Sequence, residues 1–163
     1  SRFLSPYVFR LLLPIPDLPT SSFLATSVAT SYNSPSEITF PKVISNTGDD
    51  YNSTSGVFTV RLSGIYFFSV SLVKTGHSKT PTSNSPTHIQ CFLVMHDTAK
   101  LRMHVDTADT NGSDRGYFAV TNSGTFYLWK GTKVNVACGN GVDYIYSSNG
   151  CSFTGFLIHA DKV

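Results

Sequence analysis

The sequence predicts an all-β fold, a β-sandwich or jelly roll, and three features predict it. No apolar period of 3.6 residues is sustained anywhere in the 163 residues, which argues against amphipathic helices. Two-residue alternation recurs instead in short runs, separated by clusters of Gly, Asn, Ser and Thr. Charged residues make up only 13% of the chain, about half the ~25% of an average soluble protein. Solubility therefore rests on Ser, Thr and Asn, a habit of extracellular β proteins.

Residues 1–21 read as an extended N-terminal arm. Tyr7 to Ile15 is apolar, but Arg10 interrupts it and Pro14, Pro16 and Pro19 follow, so it lacks the clean apolar core of a secretory leader. The arm either lies against a partner subunit or hangs as a loosely attached tail. Six of the eight prolines fall within the first 41 residues, which predicts neither a long helix nor a central strand there.

The runs that follow are strands. Phe58, Val60 and Leu62 share one face; after a Ser63-Gly64 turn, Tyr66, Phe68, Val70 and Leu72 share another. Ile89, Cys91, Leu93 and Met95 alternate, as do Leu101, Met103 and Val105. Phe126 and Leu128 precede a Lys130-Gly131 turn; Val134, Val136 and Cys138 follow it. The last run, Ser152 to His159, sets Phe153, Gly155 and Leu157 on one face, Phe156 and Ile158 on the other. Lys74–Thr87 and Thr107–Arg115 read as exposed loops. With no repeat and no linker, residues 22–163 form one domain with room for a hydrophobic core.

Net charge is +2 with no basic cluster, which removes the electrostatic footprint of a nucleic-acid binder. No apolar run, Leu11 to Leu13 included, approaches the length of a membrane span. Three cysteines lack metal-site spacing. Cys138 and Cys151 bracket a turn-rich stretch, as a disulfide closing a hairpin loop would, and Cys91 reads as a buried free thiol. Asn52-Ser53-Thr54 and Asn111-Gly112-Ser113 are glycosylation acceptors. With the low charge, these features point to secretion.

The segment from 40 to 70 is the most specific. Phe40, Asn46, Tyr51, Phe58, Gly64, Tyr66 and Phe68 stand at a spacing that resembles the signature of the C1q globular-head family, jelly-roll modules related to tumour necrosis factor. The family pattern has one more aromatic where Val70 stands. Leu128-Trp129-Lys130-Gly131 before Val134 resembles the family's turn between two late strands, with Thr132 in place of the usual Asp; Ser152–Ile158 is similar to its last strand and Phe23-Leu24-Ala25 to its first. The resemblance spans roughly 22–160. It implies a ten-stranded-type jelly roll assembled as a trimer, with one sheet's outer face as an apolar interface. Tyr117, Tyr127, Phe156 and Ile158 are the candidates for that face.

No Gly-x-Ser-x-Gly elbow occurs, and the nearest acid–base pairs, His96-Asp97 and His104-Val105-Asp106, adjoin no nucleophile, so an enzyme is not expected. Asp106, Asp109 and Asp114 in one polar loop offer the oxygen ligands calcium takes, or else make a solvated acidic loop. His88 and His96 point outward from one strand, with His104 able to return beside them, as transition-metal ligands or as isolated surface histidines. No other cofactor is expected. The polar loops, with Tyr144 and Tyr146, suit recognition of carbohydrate or protein. The expected function is a secreted, trimeric, non-enzymatic recognition module of innate-immune or lectin type. The alternatives are a structural or storage-type extracellular assembly protein and a cytokine-like receptor ligand.

Overall fold

The computed structural model describes residues 20–31, 34–77, 88–106, 114–140, 145–146 and 149–161. All regular structure among them is β. One antiparallel sheet has the order β10 (Asp114–Leu128), β7 (Gly64–His77), β12 (Ser152–Ala160), β1 (Ser22–Thr26), β4 (Lys42–Thr47). The other runs β2 (Ala29–Ser31), β3 (Ser34–Thr39), β11 (Lys133–Asn140), with β6 (Val57–Thr59) and β5 (Tyr51–Asn52) continuing from β11. On the far side of β11 lie β8 (His88–Met95) and then β9 (Thr98–Asp106). The chain changes sheet at β1–β2, β3–β4, β4–β5, β6–β7, β7–β8, β9–β10, β10–β11 and β11–β12, which makes two packed sheets of a jelly roll rather than a meander.

Alternation explains the core. Tyr66, Phe68, Val70 and Leu72 of β7 are fully buried between the sheets, as are Phe58 of β6 and Val134 and Val136 of β11. The buried ring of Phe153 lies 4.8 Å from Phe23, 5.6 Å from Phe40, 6.0 Å from Tyr51 and 6.2 Å from Phe68, centroid to centroid. Most of these contacts are edge-on or tilted, the arrangements that ring quadrupoles favour. At Gly155 a Cβ would overlap the Phe68 ring, so only glycine lets β12 cross that aromatic layer. A Cβ at Gly64 would run into the backbone oxygen of His159.

The 40–46–51 spacing has a hydrogen-bonding cause. Asn46 donates through Nδ2 to Tyr51 O at 2.8 Å and accepts from Tyr51 N at 3.1 Å, closing the β4–β5 connection through one amide. The Tyr51 hydroxyl, buried inside the sandwich, accepts from Phe40 N at 3.2 Å and lies 3.3 Å from Phe40 O, to which it donates. Burial pushes the Tyr51 phenol up to about 12, and the bond to Phe40 opposes this only in part. The neutral phenol is the form the fold accepts. Its stabilisation is complete below the unfolded value near 10 and lost as pH rises towards 12. Denaturation midpoints should hold to about pH 10 and then fall, more gently in Tyr51→Phe; equal slopes in the two proteins would contradict this.

Three expectations change. The disulfide joins Cys91 to Cys138, not Cys138 to Cys151. Cys91 and Cys138 stand directly opposite in the β8–β11 ladder, with Cα atoms 3.9 Å apart, whereas Cys151 immediately precedes β12 of the other sheet. The Cys151 thiol is buried, donates to Tyr146 O at 3.1 Å and accepts from Val73 N at 3.3 Å. The denatured chain should therefore show one reactive thiol without reductant and three with it, and Cys151→Ala should remove that one; a Cys138–Cys151 peptide in a non-reducing digest would overturn the pairing. Opening the bridge by Cys91→Ala should cost about 4 kcal/mol, given a loop of 47 residues.

The second change concerns the proline-rich start. β1 lies between β12 and β4 as an interior strand, because the stretch from Thr20 to Ser34 contains no proline. β3 accommodates Pro35 where its pairing with β2 skips residues between Ser34 and Ile38. The third change is that β7 continues to His77 and buries Lys74, so the expected loop from Lys74 begins as strand; β10 likewise opens at Asp114.

Candidate functional site

The outer face of the five-stranded sheet is where large apolar groups meet solvent. Tyr66 and Phe68 point inward on β7, which turns Ile65 and Phe67 outward. Across the ladders Tyr127 of β10 pairs with Ile65, and Thr125 and Phe156 flank Phe67. The Phe67 and Phe156 rings stand 5.2 Å apart. Ile158 occupies the bulge that β12 makes between Leu157 and His159, and is 52% exposed. A bulge re-aims its extra side chain, which here stays on this end of the sheet. Trp129, 67% exposed, meets Tyr127 edge-on at 5.1 Å. The Tyr127 hydroxyl donates to Asp161 Oδ2 at 2.5 Å, and that carboxylate raises the phenol above its ordinary value.

Further along the same face the chemistry changes. Ser69 is flanked by Ser123 and Thr154, and Ser71 by Thr121 and Ser152. Thr121 donates to Ser71 Oγ at 3.0 Å. The face is thus apolar at the Gly64 end and hydroxyl-lined in the middle. At the opposite end Tyr117, 69% exposed, packs edge-on against Tyr146 at 5.1 Å.

All four expected interface residues therefore lie on this sheet, in two separate groups. Tyr127, Phe156 and Ile158 share the apolar end; Tyr117 sits with Tyr146, which the sequence assigned to ligand binding. Ile65, Phe67 and Trp129 were not among the candidates. The run Ile65-Tyr66-Phe67-Phe68 carried the signal for two of them, since a strand apolar at both parities has two faces to cover.

The other sequence candidates are placed unevenly. Tyr144, Asp109 and Asn111 lie outside the described residues. Asp106 closes β9 and Asp114 opens β10, where its backbone pairs with His77. Asn52 is exposed, and its Oδ1 accepts from Thr54 N and Ser55 N at 2.9 and 3.1 Å. His96 sits in the tight β8–β9 turn with φ of 46°, at the far end of β8 from His88, while His104 returns beside His88. Of the N-terminal arm, Thr20 and Ser21 are described: Ser21 donates to Asp50 Oδ2 at 2.6 Å, and Arg61 donates to Thr20 O while lying 3.5 Å from Asp50. A cavity of about 470 Å³ opens by the β8–β9 turn, between Met95, His96 and Lys100 on one side and Phe126 and Trp129 on the other.

Two packed antiparallel sheets, one with an outer face apolar at its Gly64 end, define a jelly-roll domain. The C1q domain family matches residues 22–158, and the chain belongs to that family. Among solved structures, the globular domain of zebrafish complement 1qA protein is similar at a TM-score of 0.61 and 19% identity, covering 88% of this chain and 100% of that one. Murine APRIL at pH 8.0 is similar at a TM-score of 0.61 and 11% identity, covering 86% and 100%. At those identities the two structures establish the fold. Among the described residues no helix is long and apolar enough to cross a membrane.

Proposed function

We propose that this chain is a secreted, non-enzymatic recognition module that works as a homotrimer on repeated surface ligands, carbohydrate above all. The observation that carries the reading is the outer face of the five-stranded sheet. Ile65, Tyr127, Phe156 and Ile158 are each at least 40% exposed in the single chain, around a Phe67–Phe156 ring pair. Such a patch on a single chain marks a surface that another protein covers. The C1q globular head and its tumour necrosis factor relatives assemble around a threefold axis, and the same face of this chain has the composition of an interface. Trimerisation then sets three weak sites side by side, and repeated ligands gain ~10²–10⁴ in avidity over a single site.

Native mass and a glycan array test the two halves separately. The expected mass is three times 17.8 kDa. The expected array shows binding to clustered glycans that weakens when the same sugars are presented singly. A monomer overturns the assembly; flat signals from a trimer overturn the carbohydrate ligand. A second reading is a cytokine-like ligand for a cell receptor, favoured by the equal structural fit to APRIL. Capture of a membrane receptor by the trimer, together with a silent array, is the result that selects it.

A further inference from the structure

We infer that His88 and His104 form a binding site for a divalent transition-metal ion of imidazole-preferring type, such as zinc, nickel or copper, on the outer face of the second sheet. His88 begins β8 and lies opposite Asp106; His104 on β9 lies opposite Gln90. The two histidines are therefore diagonal neighbours on one face of an antiparallel ladder, within reach of each other's rings. Their ring centroids are 5.4 Å apart with planes 43° to one another. Two imidazoles on one tetrahedral ion, each nitrogen at about 2.0–2.1 Å from the metal, put their centroids roughly 5 Å apart. The observed separation brings both rings within reach of one ion.

The second observation concerns His104 itself. Its Nδ1 is buried and makes no hydrogen bond among the described residues. A covered ring nitrogen without a partner is rare in folded proteins, and an ion bound between the rings gives this imidazole a partner. The scaffold is rigid: Ile89, Cys91, Leu93 and Met103 on the reverse of these strands are fully buried, and Cys91 is tied to Cys138. Strands held this way preserve ligand geometry better than loops do.

The surroundings fit a cation. Asp106 stands directly opposite His88, and together with His104 it lines a cleft of about 600 Å³ that Tyr117 and Phe118 close on the other side. Arg102, two residues before His104 on the same face, is the opposing charge. No group of three His, Cys, Asp or Glu side chains converges among the described residues. The described residues supply an imidazole pair, and such a pair selects zinc, nickel or copper over calcium and magnesium, which take oxygen ligands.

The test is calorimetric titration of the full chain with zinc, nickel and copper chlorides, on wild type, His88→Ala, His104→Ala and His96→Ala. One ion per chain should bind the wild type and His96→Ala, and affinity should fall at least tenfold in either of the other two variants. Melting temperature gives an independent reading: metal should raise it in wild type and His96→Ala only, while all four proteins melt alike without metal. Nuclear magnetic resonance of the folded wild type covers the case of a variant that misfolds. Substoichiometric copper should broaden the ring signals of His88 and His104 together and leave His96 sharp. Equal affinity in all four proteins, broadening centred on His96, or no binding of any of the three ions would each overturn the site.

Discussion

Phe153→Ala should be the most damaging single truncation in the chain, with a loss of about 3–5 kcal/mol in unfolding free energy. Phe153 is fully buried and its ring touches rings from β1, from the turn before β4, from β5 and from β7, so it ties four parts of the sandwich together. Phe23, Tyr51 and Phe68 stand on strands of two sheets whose backbone ladders hold them apart. They collapse little into the space left behind, and the cavity adds to the lost transfer energy. Phe156→Ala is the comparison. It lies three residues further along the same strand and faces outward at 44% exposure. In dilute, dissociated protein its cost should stay within about 1 kcal/mol, the worth of a cross-strand ring pair. Urea denaturation of both variants measures this, and equal midpoints would show that Phe153 is not the keystone of the core.

Phe156→Asp should turn the proposed trimer into single chains of 17.8 kDa with the fold intact. The carboxylate enters an apolar patch made by Phe67, Tyr127 and Ile65. Desolvating an unpaired charge costs several kcal/mol, and threefold symmetry repeats the substitution in every subunit. Around a threefold axis, three like charges add their mutual repulsion. Sedimentation velocity, with circular dichroism as the check on folding, reads the outcome. Thr121→Asp, in the hydroxyl-lined middle of the face, should weaken assembly less, because polar partners and water can solvate its charge. A Phe156→Asp protein that stays trimeric would place the interface elsewhere. So would a Thr121→Asp protein that dissociates first.

Much of this architecture was legible in the alternation. Tyr66, Phe68, Val70 and Leu72 share a buried face because strand side chains alternate, and a period of two survives any tertiary arrangement. The spacing of Phe40, Asn46 and Tyr51 reported a local hydrogen-bonded connection, whose groups lie within eleven residues of one another. The disulfide was misread for the complementary reason. Cys138 and Cys151 are close in sequence but belong to different sheets, one within β11 and the other just before β12, whereas Cys91 meets Cys138 only because β8 pairs with β11 across 47 residues. Site residues divide the same way. Phe156 was visible as an apolar residue of outward parity, while the meeting of Tyr117 with Tyr146, and of His88 with His104, required strands to be brought together.

The amino-acid order by itself determined that the chain alternates, where its turns fall, which rings face inward and which family it joins, since each of these is written over a few neighbouring residues. Tertiary structure alone decided which cysteines bond, which outward groups gather into one apolar end, and that two histidines sixteen positions apart stand as a pair. Strand pairing is a long-range choice: its free energy is collected only after distant segments have met, so no local window of sequence contains it.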